Sequence, residues 1–269
     1  MTSPVPSQAV IDDEPRTLTA GDLAVRIHPT AAAMGRDAAR QVAEVLRAAI
    51  AEKGSARAIL ATGNSQFPLV EALADPDANW GVDWSKVTAF HMDEYVGIDD
   101  NHTASFRRWM RERVVGLLGV QEMNYIDGDA PDPQAECARY EGLLKAAPID
   151  LTCMGIGENG HLAFNEPHEA DFNDPRWAKV ITLEEKSRAQ QVGEGHFPDI
   201  ASVPAQAISL TIPALLSAAT VVVCAPESRK ADAVRATVED EISTDCPATV
   251  LRRNGHATLY LDADAAAQI

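Results

Sequence analysis

The chain has 269 residues, 46% of them hydrophobic, enough for one large core without disulfides or a structural metal. A formal charge of −17 excludes a general nucleic-acid binder, which needs a surplus of Lys and Arg against the phosphate backbone. It does not exclude a small anionic metabolite, because a few convergent N–H groups and one or two cations are enough to hold one. Cys137, Cys153, Cys224 and Cys246 form no CxxC pair and have no zinc-type spacing to His, which points to free thiols. No basic n-region, apolar h-region or bilayer-length run is present, so the expectation is a cytoplasmic protein without membrane contact.

Residues 1–21 carry Pro4, Pro6, Pro15 and three consecutive acids, and predict a flexible tail ahead of a single domain over 22–269, with folded structure beginning near Leu23. From Thr30, a good N-cap, to Lys53, the residues Ala38, Val42, Val45, Leu46, Ala49 and Ile50 share one helical stripe, and Gly54 supplies the stop. An apolar run over 56–63 and a helix from Pro68 through Leu73 follow. The alternation repeats: 87–95 and then a helix over 105–118, 149–157 and then a long loop, 220–226 and then a helix over 229–238, with a last apolar run at 256–262. Apolar strands separated by helices predict an α/β fold, a Rossmann-like open, mostly parallel sheet with helices on both faces. In such sheets chemistry gathers at the carboxyl ends of the strands, where the polar motifs of this chain fall. Residues 165–208, rich in Asn, Asp, Gly and Pro, make a long connection that serves either as a lid or as a plain surface excursion.

Three motifs carry candidate chemistry. Gly155, Gly157 and Gly160 match G-x-G-x-x-G after a strand, but Asn165 and Pro167 interrupt any following helix and no acid-terminated second strand follows, which excludes the dinucleotide reading. The same stretch offers His161 and Glu166. A carboxylate accepting from one imidazole nitrogen orients the ring and leaves the other to exchange a proton with substrate, although the spacing fits a structural histidine as well. In FHMDEYVGIDDNHTASF (90–106), a carboxylate at the end of a strand, Asp93 or Glu94, can abstract a proton next to a carbonyl if burial raises its pKa; the other acids fit capping and turn roles, Asp99 and Asp100 among them. Thr62, Gly63, Asn64 and Ser65 end a strand just before a helix and can present N–H groups and hydroxyls to a phosphate, with Lys230 or Arg188 as completing cations.

In combination, HMDEYVGI (91–98), GDAPDPQAECARYE (128–141) and GIGENGHLAFNEP (155–167) resemble the glucosamine-6-phosphate deaminase family, within the group that includes 6-phosphogluconolactonases. The likeness runs over most of 22–262, and HLAFNEP fits the deaminase branch better than the lactonase branch. The resemblance implies aldose–ketose isomerisation and deamination of an amino-sugar phosphate through an enolamine, with no cofactor and no metal. It implies Asp93 as the base between C1 and C2, His161 as the ring-opening acid/base, Glu166 as its orienting carboxylate, and Thr62, Gly63, Asn64, Ser65 and Lys230 as the phosphate set. Three departures stand out. Asn159 replaces an Asp that many members carry, so His161 loses one favourable charge. TGNS replaces TGGT. No flap arginine lies in 190–195, which leaves Arg188, Gln190 or Gln191 as substitutes. The same scaffold also fits an isomerase or lactonase for another sugar phosphate, or a non-catalytic sugar-phosphate-binding protein. An oligomer is compatible with the sequence but cannot be read from it.

Overall fold

A computed structural model describes residues 14–193 and 195–269, so the tail expected over 1–13 lies outside the described residues. The chain opens with a hairpin, β1 (Arg16–Ala20) and β2 (Leu23–His28), in which Ala20 pairs with Leu23 across a two-residue turn at Gly21 and Asp22. This corrects the expected tail boundary. Alternation in RTLTA and LAVRIH around a Gly-Asp turn outweighs the local Pro and acid content. Helix α1 (Ala31–Lys53) begins where expected, its N-cap Thr30 side chain accepting from Ala33 N–H, and ends at left-handed Gly54. Then come β3 (Ala56–Leu60), α2 (Phe67–Ala74), β4 (Val87–His91) and β5 (Asp93–Tyr95). The next helical run starts with α3 (Phe106–Trp109), widens to a π-helix over Met110–Val115 and closes with α4 (Gly116–Leu118). The remaining elements are β6 (Glu122–Asn124), α5 (Pro133–Lys145), β7 (Leu151–Met154), β8 (Ala178–Thr182), α6 (Glu185–Gly193), β9 (Gln206–Leu210), α7 (Ile212–Leu215), β10 (Thr220–Cys224), α8 (Ala231–Glu239) and β11 (Ala257–Asp262).

Among the described residues eight strands form one sheet in the order β1-β2-β11-β10-β7-β3-β4-β6, parallel at every pairing except β1 with β2. Alternate residues feed opposite faces. Val222 and Cys224 join Ala58 and Leu60 in a core with Met34, Val42 and Leu46 of α1, whereas Val221, Val223 and Ile59 join Tyr140 and Leu144 of α5 and Val234 of α8. Both faces are covered, which is why these strands read as unbroken apolar runs.

The expected single strand over 87–95 is two strands in two sheets. After His91 the chain leaves the large ladder, Met92 O accepts from Leu210 N–H at 2.8 Å, and Asp93–Tyr95 pairs antiparallel with β9. β9 pairs in turn with β8, giving a three-stranded antiparallel sheet, β5-β9-β8, built largely from the segment expected as a lid. Its own core holds Tyr95, Ile98, Phe164, Ile181, Leu183 and Phe197, with the Tyr95 ring against Phe106 at 5.1 Å, Phe164 at 5.5 Å and Phe197 at 5.6 Å between centroids. Among the described residues no helix is long and apolar enough to cross a membrane.

Candidate active site

In the large sheet β3 leads on to β4 and β6 on one side, and β7 leads to β10 and β11 on the other. Strand order therefore reverses between β3 and β7, and a crevice opens beyond their carboxyl ends. A cleft occupies that crevice. Thr62, Gly63, Asn64, Ser65, Asp93, His161 and Lys230, all singled out from sequence, line it.

One rim consists of helix approaches. Residues 62–65 run into a 3-10 turn over Asn64–Gln66 and then into α2, while Ser228–Lys230 forms the equivalent turn before α8. Backbone N–H groups at such starts favour an anion, and Lys230, 5% exposed, adds a cation with little conformational freedom. Arg229 lines the same rim and was not singled out from sequence; its Nε donates to Glu227 Oε2 at 2.6 Å and its Nη1 lies 3.5 Å from Glu158 Oε1. Its only signal is adjacency to Lys230. Glu227 sits at φ 81°, unusual for a residue with a side chain, and its N–H donates to both Asp262 oxygens at 3.1 Å.

The other rim carries titratable groups. Asp93 is 7% exposed, and burial together with the neighbouring Glu94 pushes its carboxyl up to about 8. Adjacent residues of the same motif do other work. Glu94 accepts from Ser105 Oγ at 2.8 Å, Arg107 N–H at 2.9 Å, Tyr95 N–H at 3.0 Å and Phe106 N–H at 3.2 Å, so it anchors the start of α3. His91 Nε2 accepts from Ile126 N–H at 2.8 Å, and burial, followed by the charge of Arg107, lowers the ring to about 3, which keeps it neutral. Asp99 and Asp100 take turn and surface roles as expected, accepting from Asn101 N–H and pairing with Arg111.

His161 rests on glycine. A Cβ at Gly157 would lie 2.2 Å from the His161 ring, and one at Gly160, at φ 82°, would lie 2.4 Å from Cys246 Sγ. The glycine pattern thus serves close packing, and no helix follows it before α6, in keeping with the rejected dinucleotide reading.

Behind the ring stand Asn159 and Glu166, outside the cleft lining. His161 N–H, which can only donate, reaches Asn159 Oδ1 at 3.2 Å, and Asn159 Nδ2 donates to Glu166 Oε2 at 2.7 Å. These two bonds fix the amide orientation. Asn159 Oδ1 then lies 2.8 Å from His161 Nδ1, so Nδ1 carries the proton and Nε2 is the acceptor. Glu166 Oε2 is 3.6 Å from Nδ1; its contact with the ring runs chiefly through the amide. Glu166 is fully buried, and although burial works to raise its pKa, the His161 ring, Ser187 and Asn159 hold it below the usual carboxylate range.

Arg188 does not reach the cleft. Its Nη2 donates to Ile200 O at 2.6 Å and Val203 O at 2.9 Å, so the guanidinium staples the first turn of α6 to the turn at 200–203. Of the three proposed substitutes for a flap arginine, Gln191 lines the cleft, joined by His196; the Gln190 side chain lies outside the described residues. Phe106, Phe164 and Ala163, the last at φ 50°, complete an apolar wall that carried no signal in the sequence. Among the described residues no three His, Cys, Asp or Glu side chains cluster so as to hold a metal ion.

Sheet order, a phosphate-suited rim and a facing acid–base rim define an α/β enzyme that handles an anionic metabolite at its switch point. The chain belongs to the glucosamine-6-phosphate isomerase/6-phosphogluconolactonase family, whose model matches residues 29–260. It is 36% identical over 209 residues to a glucosamine-6-phosphate deaminase of Exiguobacterium sp., covering 78% of this chain and 79% of that protein. It is 34% identical over 239 residues to one of Pseudarthrobacter chlorophenolicus, covering 88% of each. Among solved structures, a monomeric glucosamine-6-phosphate deaminase superposes with a TM-score of 0.83 at 31% identity, over 91% of this chain and 99% of that one. A 6-phosphogluconolactonase from Shewanella baltica superposes at 0.72 with 17% identity over 88% and 97%, a likeness of fold alone.

Proposed function

We propose that the protein is a glucosamine-6-phosphate deaminase, converting glucosamine 6-phosphate and water to fructose 6-phosphate and ammonia. The observation that carries this reading is the meeting of Asp93 and His161 in one cleft whose opposite rim is the 62–65 loop and Lys230. The rim at 62–65 and Lys230 binds the phosphate and so fixes the sugar's reach across the cleft. His161, with Nε2 as acceptor, takes the proton of the anomeric hydroxyl and returns it to the ring oxygen, opening the pyranose. Asp93 removes the proton from C2 while the C1 oxygen takes one from the substrate's ammonium group, giving the enolamine, and Asp93 then delivers its proton to C1, leaving an iminium at C2. Water adds at C2 and ammonia leaves. A carboxyl at about 8 is well matched to this shuttle, since it neither holds nor releases the proton irreversibly near neutral pH.

Residues 185–193 and 195–202, with Gln191 and His196 lining the cleft, are the part of the 165–208 connection suited to act as a lid in what we take to be a cytoplasmic enzyme. The test is incubation of purified protein with glucosamine 6-phosphate, measuring both products. Formation of fructose 6-phosphate and ammonia in equal amounts supports the reading. If neither appears, it is wrong.

A further inference from the structure

The His161 centre does not end at Glu166. Asn159 Nδ2 also lies 3.5 Å from Oε2 of Glu184, so one amide stands between two carboxylates. Glu184 precedes α6, and its carbonyl accepts from Arg188 N–H at 3.0 Å, the first bond of that helix. Its other oxygen, Oε1, is 2.9 Å from His168 Nδ1, while His168 Nε2 is 3.0 Å from Thr182 O. Both partners of His168 are acceptors. Burial works against the imidazolium, but the bonds to Glu184 and Thr182 outweigh it and hold His168 above the usual range. A chain of contacts therefore joins the cleft histidine to the base of the helix that carries Gln191: His161, Asn159, Glu184, His168.

We propose that Glu184 is a positioning residue of the His161 centre, acting through the Asn159 amide and tying the proton state of His161 to the seating of α6. This rests on the deaminase reading for its catalytic meaning, but not for its physical content. An amide is the group this position accommodates. A carboxylate at 159 would be a third negative charge beside Glu166 and Glu184, and it has no N–H to offer either of them. Glu184 adds a second, longer acceptor, at 3.5 Å, on the NH2 side of Asn159, which the 2.7 Å bond to Glu166 already turns away from His161, leaving Oδ1 for Nδ1 and Nε2 for the cleft. The charged and titratable groups around His161 are Glu166 on its own loop, Glu184 at the base of α6 with His168 beyond it, Asp93 across the cleft on β5, His196 after α6, and Arg229 and Lys230 before α8. Of these only Glu184 and His168 neither line the cleft nor belong to the proton-transfer set.

The test is a cycle of four proteins, wild type, Glu184→Gln, Asn159→Asp and the double variant, with the His161 imidazole titrated by nitrogen NMR in the unliganded enzyme. The expected result is a fall of the His161 pKa by about half a unit or more in Glu184→Gln, a rise of similar size in Asn159→Asp, and a double variant that stays near the Asn159→Asp value, because Glu184 then has no amide to act through. An unchanged titration in Glu184→Gln overturns the proposal, as does a double variant in which the two single shifts simply add. This readout needs no turnover, so it stands or falls separately from the deaminase reading. In the assay, Glu184→Gln lowers kcat about tenfold with KM little changed, because Glu184 does not touch the substrate. Loss through KM alone would place Glu184 in binding and overturn the positioning role.

Discussion

The two rims of the cleft are made of different things. The rim at 62–65 and 228–230 is backbone at the approaches to α2 and α8, set by strands of the large parallel sheet, with one buried lysine. The rim at Asp93 and His161 is side chains in unfavourable settings: a buried carboxyl raised to about 8, and an imidazole pressed on a glycine and held by an amide. Binding can be built from groups the fold must satisfy anyway, at little cost. Proton transfer needs groups the fold would be more stable without. The first rim should therefore fail through KM with stability intact, and the second through kcat with stability unchanged or improved.

The largest expected effect is at Asp93. Asp93→Asn lowers kcat by about a thousandfold and abolishes exchange of the C2 proton with solvent while the substrate still binds. In wild type, kcat/KM rises with pH up to about 8 as the free carboxyl ionises. Stability moves the other way. The folded carboxyl titrates at about 8 against 3.8 in an exposed chain, so its contribution is full below about pH 4 and is lost as pH rises through 8. Asparagine has no proton to lose, so the Tm of the variant relative to wild type increases between pH 5 and pH 8.5. Melting curves with a constant difference across that range would break the contrast between the rims.

Gly157→Ala is next. Its new Cβ, 2.2 Å from the imidazole, must displace His161, and kcat falls on the order of a hundredfold in the same ammonia assay. KM stays within a few-fold because the phosphate rim is untouched. Lys230→Ala sharpens the other half of the comparison: KM rises by roughly 10- to 100-fold, the worth of one charge-assisted bond, with kcat nearly retained. Inorganic phosphate should lose its competition with substrate in that variant to the same extent. A fall in kcat alone would move Lys230 to the chemical rim.

Sequence and structure agree where the physics is local. The strands of the large sheet are legible because burial on both faces leaves only apolar residues, and the 31–53 helix because its stripe and caps coincide. The small sheet is not legible. β5 has three residues that continue the pattern of β4, and only pairing with β9, more than a hundred positions away, reveals the change of sheet. The site divides in the same way. Asp93, His161 and Glu166 announce themselves as polar residues at strand ends, but nothing local shows that the carbonyls of Ile200 and Val203 capture Arg188, or that Asn159 stands between His161 and Glu166.

The smallest effect tests how sharply chemistry and scaffold divide within one motif. Glu94 follows Asp93 directly and is buried as deeply, yet three donors from the start of α3 and the N–H of Tyr95 occupy it. Ser105 Oγ both donates to Glu94 and accepts from Arg108 N–H at 3.4 Å, so Ser105→Ala removes a cap and one bond to a buried carboxylate. The expected cost is about 1–2 kcal/mol of stability in a denaturant titration. Turnover should stay within about threefold, since the three backbone donors still hold Glu94 and Asp93 keeps its place opposite Ser209. A kcat loss approaching that of Asp93→Asn would mean that the charge of Glu94 sets the Asp93 carboxyl more strongly than burial does, and the boundary between scaffold and chemistry would have to be drawn one residue further along the strand.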